Sequence, residues 1–224
     1  MSALSAKDLK KYHGRPSLRL VDPESLAALE QSRKIEVLSL NHFHRIRSLE
    51  PLSSLTNLRA LFLTTTNGWD GTNRHLLVET FEPLVALRRL EIVQILGVVP
   101  ERDRLQPLSR MPSLEKLSIG NTSFYQLEDF AGLSVALPRA RGSLQPIYQM
   151  NFISRCRRCK KHALLFLAGA KQRSPRYVCP ACGKKKIISH LQRWNSAGGV
   201  PQYDAPEKLG VADLMDTFGN PNAT

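Results

Sequence analysis

No aspartate or glutamate occurs between Phe130 and Tyr203, although the chain of 224 residues carries 19 acidic side chains elsewhere. That stretch has no internal counter-charges, which points its cations towards an acidic partner. Long hydrophobic runs are missing too. The longest, Ile95–Val99 with its flanks and Ala163–Ala170, fall far short of a membrane span, so no membrane partner is expected. Residues 1–14 lack the apolar core of an export signal, and a cytoplasmic location is the default expectation. No nucleophile–base arrangement, glycine-rich phosphate loop or paired carboxylates stand out, so no enzymatic activity is expected. His42 and His44 form a His-x-His pair, but two ligands are weak evidence for a metal and a solvated turn accounts for them.

The charge that is present is unevenly placed. The formal net charge is +13, from 32 Lys and Arg against 19 acidic residues. Fourteen of the cations fall within Arg139–Arg193, which leaves 18 against all 19 acidic residues, a net of −1, for the remainder. Basicity is therefore a property of one module.

Cysteine is scarce and fully accounted for. The four residues form two pairs, Cys156-x-x-Cys159 and Cys179-x-x-Cys182. Each short spacing brings two sulfurs to one point, and the intervening stretch can fold back to deliver the second pair to one tetrahedral ion. In a cytosolic chain such pairs read as a metal site before they read as disulfides. The expectation is one structural Zn²⁺ on Cys156, Cys159, Cys179 and Cys182, with no open position for catalysis. His162 is expected to have a surface or hydrogen-bonding role.

The first half repeats. Leu-x-x-Leu-x-Leu recurs as Ile35-x-x-Leu38-x-Leu40, Leu58-x-x-Leu61-x-Leu63, Leu87-x-x-Leu90-x-Ile92 and Leu114-x-x-Leu117-x-Ile119. Between the blocks, apolar residues fall at every third position, as in Leu49, Leu52, Leu55 and in Phe81, Leu84, Leu87, with a last set at Phe124, Leu127, Phe130 and Leu133. A short strand followed by a helical or 3₁₀ turn puts both sets inward, and stacked units share one core. Over residues 35–136 this resembles the leucine-rich repeat family, in its short 22-residue class. The resemblance implies an α/β solenoid with a short parallel sheet on a concave, protein-binding face. Val37, Ser39, Ala60, Phe62, Thr64, Arg89, Glu91, Val93 and Lys116 would face solvent there, and Trp69 in a Gly- and Asn-rich loop is a candidate anchor. The family's buried asparagine after each strand is replaced by Phe43, Thr66, Ile95 and Thr122, so the bends between strands must be satisfied otherwise.

The cysteine segment, with its Cys-Pro-x-Cys-Gly knuckle at Cys179–Gly183, resembles a zinc ribbon. The resemblance implies a small antiparallel β module whose last strand runs over Lys184–Trp194. The domains expected are an N-terminal cap (1–34), the solenoid (35–136), a linker (137–150), the ribbon (151–195) and a tail (196–224) with a possible short helix. The ribbon's cations exceed what a doubly negative Zn(Cys)₄ centre needs. Arg155, Arg157, Arg158, Lys160, Lys161, Lys171, Arg173, Arg176, Lys184, Lys185, Lys186 and Arg193 would contact phosphates, with Tyr177, Trp194 and Phe166 stacking on bases of RNA or single-stranded DNA. The leading expectation is a non-catalytic adaptor or accessory subunit, one part of a larger complex, that joins a protein partner to nucleic acid. The alternative is a purely protein-binding regulator, inhibitor or immunity-type protein whose ribbon meets an acidic protein surface.

Overall fold

In a computed structural model the chain forms two compact units, Ala3–Asn121 and Thr122–Thr224. Residues 14–65, 75–120, 124–149, 155–169 and 177–200 are described; Trp69, Lys171, Arg173, Arg176 and the tail from Pro201 lie outside them. The unit boundary thus falls inside the 35–136 span expected of the solenoid.

The first unit holds seven strands among its described residues: β1 (Ser17–Val21), β2 (Val37–Asn41), β3 (Ala60–Thr64), β4 (Leu76–Val78), β5 (Ile92–Leu96), β6 (Val98–Pro100) and β7 (Lys116–Ile119). Neighbours β1-β2-β3-β5-β7 pair in parallel, with Leu38, Leu61, Val93 and Leu117 in one row and Leu40, Leu63, Ile95 and Ile119 in another. All eight of these side chains are fully buried. Each gains about 1.5–3 kcal/mol from leaving water. Short 3₁₀ turns at Ala27–Gln31, Glu50–Ser54, Glu82–Ala86 and Gln106–Arg110 close the repeats and bury Leu29, Leu52, Leu84 and Leu108. Stacked strand-and-turn units around a parallel sheet are the architecture that the leucine-rich repeat resemblance implies.

Three of those turns share Pro51, Pro83 and Pro107 at their first helical positions, where the missing N–H costs no hydrogen bond and the fixed φ favours the turn. Each proline precedes the first leucine of the next block (Leu58, Leu90 and Leu114) by seven residues.

The third repeat departs from its expected register. Its block is Leu90-x-x-Val93-x-Ile95, three residues later than Leu87-x-x-Leu90-x-Ile92. Val93, expected to face solvent, pairs in register with Leu61 and is fully buried, while Gln94 takes the outward place beside Phe62. Arg89 and Glu91 lie ahead of β5 rather than on it. β4, after β3, and β6, after β5, hold corresponding places in successive repeats and form a separate parallel pair with Leu76 opposite Val98. Gly97 joins β5 to β6 at φ +71°, and a Cβ there would lie 2.6 Å from the Thr65 carbonyl oxygen. Only glycine fits that turn.

Main-chain bonds replace the missing asparagine ladder. The N–H groups of Asp22, His42, Thr65 and Gly120 donate to the carbonyls of Asn41, Thr64, Leu96 and Ile95 at 2.7–2.9 Å. His42 takes φ +56° in this turn.

The second unit contains helix α1 (Leu127–Ala136), a three-stranded antiparallel sheet ordered Tyr177–Val178, Leu165–Leu167, Ile147–Gln149, and helix α2 (Lys184–Ser196). The last set of every-third apolar residues therefore belongs to α1 and its approach. Residues Lys184–Trp194, expected as a strand, are helical. Ile187, His190, Leu191 and Trp194 explain why: at i, i+3, i+4 and i+7 they form one buried stripe, a spacing that a strand would split between two faces. Ile187 and Leu191 complete a core with Ile147, Leu165, Leu167 and Val178. Trp194 is fully buried beneath Gly199, where a Cβ would lie 2.4 Å from the indole Nε1.

Candidate metal centre and the cationic face around it

Two knuckles build the centre. In the first, the Lys160 N–H donates to the Cys156 carbonyl at 2.8 Å, and Lys160 takes φ +55°, where glycine is the commoner residue. In the second, the Gly183 N–H donates to the Cys179 carbonyl at 2.8 Å and the Cys182 N–H to the Cys179 sulfur at 3.4 Å. A Cβ on Gly183 would come within 2.1 Å of a Val178 methyl, so glycine is needed for close packing behind the knuckle.

The four sulfurs lie within 4.8 Å of one another. Across the knuckles, Cys156 Sγ is 3.9 Å from Cys182 Sγ, and Cys159 Sγ is 3.6 Å from Cys179 Sγ. A disulfide would hold its sulfurs at about 2.05 Å. A tetrahedron with Zn–S bonds of about 2.3 Å has edges of about 3.8 Å. The four cysteines can hold a metal ion, and their spacing fits one the size of zinc.

The thiol chemistry points the same way. Cys159 is pulled down to about 5, first by a hydrogen bond with the His162 ring and then by main-chain N–H groups of His162 and Lys161. Cys182 is pushed up to about 12 by desolvation and by the sulfurs of Cys159, Cys179 and Cys156. Cys182 is exposed as a residue, so the facing sulfurs are the more important cause. Four thiolates at this spacing repel one another, and a bound dication would let all four ionise together. His162 Nδ1 lies 3.5 Å from the Cys159 sulfur and is exposed.

The cations of the two units differ in how far they are paired, although Arg19, Arg33, Lys34, Arg88 and Arg102 of the repeat unit are also exposed without a side-chain partner among the described residues. In the repeat unit, Arg15, Arg45, Arg47, Arg59 and Arg110 pair with Glu36, Glu24, Glu101, Glu91 and Glu82. Around the cysteines, Arg155, Arg157, Arg158, Lys160, Lys161, Lys184, Lys185 and Lys186 are all exposed, and none has a side-chain partner among the described residues. Arg193 is also exposed but pairs with Glu128 at 2.9 Å. Of the expected stacking rings, Trp194 is 0% and Phe166 6% exposed, so neither offers a face to a base. Tyr177 is 43% exposed and packs edge-on against Phe166 at 5.5 Å.

On the repeat unit, Val37, Ser39, Phe62, Thr64 and Lys116 are half-buried on the outer face of the sheet, whereas Ala60 is fully buried with Ile92 under Val37 and Phe62. Arg89 is exposed away from that face and donates to Asn57 Oδ1 at 2.7 Å, and Glu91 is held by Arg59. Gln94 and Leu96 take the outward places on β5 that the displaced register hid.

No described protein family and no curated protein matches the sequence. Solved structures with similarity include an internalin (inlF) and an internalin C2 (inlC2) of Listeria monocytogenes, each at 20% identity and TM-score 0.36. The matches cover 53% of this chain and 30% of the first, and 61% of this chain and 63% of the second. The chain thus spans less than two thirds of either relative.

Sequence reasoning missed His190, which anchors the helix behind the second knuckle. Its Nε2–H donates to the Pro146 carbonyl at 3.0 Å, and burial pushes its pKa down to about 4, helped by Arg193 and opposed by the Pro146 bond and Glu128. The folded state holds it neutral, while the unfolded chain protonates it near 6.5. Its contribution is therefore complete above 6.5 and is lost as pH falls through about 4. Lowering pH across that window should destabilise the second unit by up to about 3 kcal/mol. His190→Gln keeps the donor and should flatten that slope in urea melts followed at Trp194; an unchanged slope would assign it to other groups. No helix among the described residues is long and apolar enough to cross a membrane.

Proposed function

We propose that the protein is a non-catalytic adaptor. Its repeat unit takes a protein partner on the outer face of the parallel sheet, and its zinc-held second unit binds the phosphodiester backbone of RNA or single-stranded DNA. The observation that carries this reading is the concentration of charge: eight exposed cations without partners among the described residues lie between Arg155 and Lys186, a stretch with no carboxylate, whereas along the repeats five arginines are matched with glutamates. Neutralising a Zn(Cys)₄ centre of formal charge −2 accounts for only a few of them. With Tyr177 the one exposed aromatic ring of the second unit among the described residues, affinity would come from phosphates, with little sequence preference and strong salt dependence. Thiols rather than disulfides suit a reducing, cytoplasmic setting.

The centre of the outer face, where Ser39, Phe62 and Gln94 lie side by side, is uncharged and suits a protein epitope better than a polyanion. Binding of a single-stranded 20-mer at 50 mM salt tests the phosphate half. Arg157→Gln with Arg158→Gln should weaken binding to every sequence and lower the slope of log K against log salt by about 0.7 per lost contact. Burial of Trp194 and Phe166 favours a second reading, in which the cationic face meets an acidic protein. Binding of polyglutamate without binding of the oligonucleotide would establish that one.

A further inference from the structure

The eight cations that lack side-chain partners among the described residues stand on two supports of unequal strength. Lys184, Lys185 and Lys186 open helix α2, which carries its own packing: Ile187 and Leu191 in the core, Trp194 fully buried, and His190 bonded to Pro146. The helix is also tied to α1 by the Arg193–Glu128 pair, and the Val200 N–H just beyond it donates to Ser134 Oγ at 2.9 Å.

The other five, Arg155, Arg157, Arg158, Lys160 and Lys161, ride on the first knuckle. Between Arg155 and His162 the one buried residue is Cys156. The knuckle's hydrogen bonds are internal, from Lys160 N–H to Cys156 and from Cys156 N–H to His162, with one bridge between Arg155 and Ala163. Its contacts with the second knuckle, among the described residues, are sulfur to sulfur.

We infer that metal loading switches the cationic face: the bound ion holds five of these eight exposed cations beside the other three, and its loss releases the first knuckle while α2 stays folded. This rests on the nucleic-acid reading proposed above. Binding would then be graded by metal and not simply abolished. With all eight cations engaged, the salt slope on a single strand is about 6; with the three lysines of α2 alone it is about 2.

The test compares the zinc-loaded full chain with chelated, reduced chain. Single-stranded RNA and DNA 20-mers are titrated by fluorescence anisotropy between 50 and 200 mM salt, and amide exchange is followed in both forms. The expected result is a slope that falls by more than half on chelation, at least a tenfold loss of affinity at 50 mM salt, fast exchange at residues 155–162 and retained protection at 187–194. Lys184→Gln, Lys185→Gln and Lys186→Gln together should remove the residual binding of the chelated form. Equal slopes with and without metal, or loss of protection in α2 along with the first knuckle, would overturn the switch while leaving the nucleic-acid reading intact. A zinc-loaded chain that binds neither oligonucleotide at 50 mM salt overturns the nucleic-acid reading itself.

Discussion

Val93→Asp is expected to unfold the repeat unit or cost it more than about 4 kcal/mol, whereas Gln94→Glu, one residue along, should change its stability by about 0.5 kcal/mol or less. Val93 is fully buried between Leu61 and Leu117, so a carboxylate there has neither water nor a cation beside it. Gln94 points the other way, next to Phe62 and Ser118 on the outer face of the sheet. A domain of this size has a total stability of roughly 5–15 kcal/mol, so the first change removes a large part of it. Urea melts of both variants decide the register. If Val93→Asp were tolerated and Gln94→Glu were the one to collapse the unit, the assignment of β5 would be wrong.

The second large effect belongs to the cysteines. Cys179→Ser should lower zinc affinity by more than the about 10–100-fold that follows loss of a ligand's supporting hydrogen bond. Cys179 is 5% exposed, lies 3.6 Å from the Cys159 sulfur and accepts the Cys182 N–H, so its sulfur organises the second knuckle and would serve as a ligand as well. The serine oxygen is shorter-reaching and harder to ionise. A variant that still carried one zinc per chain at wild-type affinity would remove Cys179 from the ligand set.

The repeat half was legible because leucine at strand positions and every third residue of the following turn is a redundant code. Three of four blocks read in their true register. The third failed because Val93 stands where the pattern asks for leucine, and Leu87 and Leu90 offer a false match three residues early. The prolines of the turns, each seven residues ahead of its block, hold the correct answer, since Pro83 points to Leu90. The cysteine pairs were legible from spacing alone. The helix behind them was not, because Lys184–Lys186 and the ribbon resemblance drew attention away from the stripe of Ile187, His190, Leu191 and Trp194. Trp194 shows the general difficulty: an aromatic among cations reads as a stacking ring until the core that swallows it is known. Charge pairing is likewise invisible in composition, because Arg59 and Glu91 meet only when the repeats stack.

X-ray absorption at the zinc edge of reduced, purified protein tests the central claim most directly. The account predicts one zinc per chain with a single shell of four sulfurs at about 2.3 Å. A shell containing nitrogen or oxygen, or protein that stays folded and binds no zinc, would contradict it.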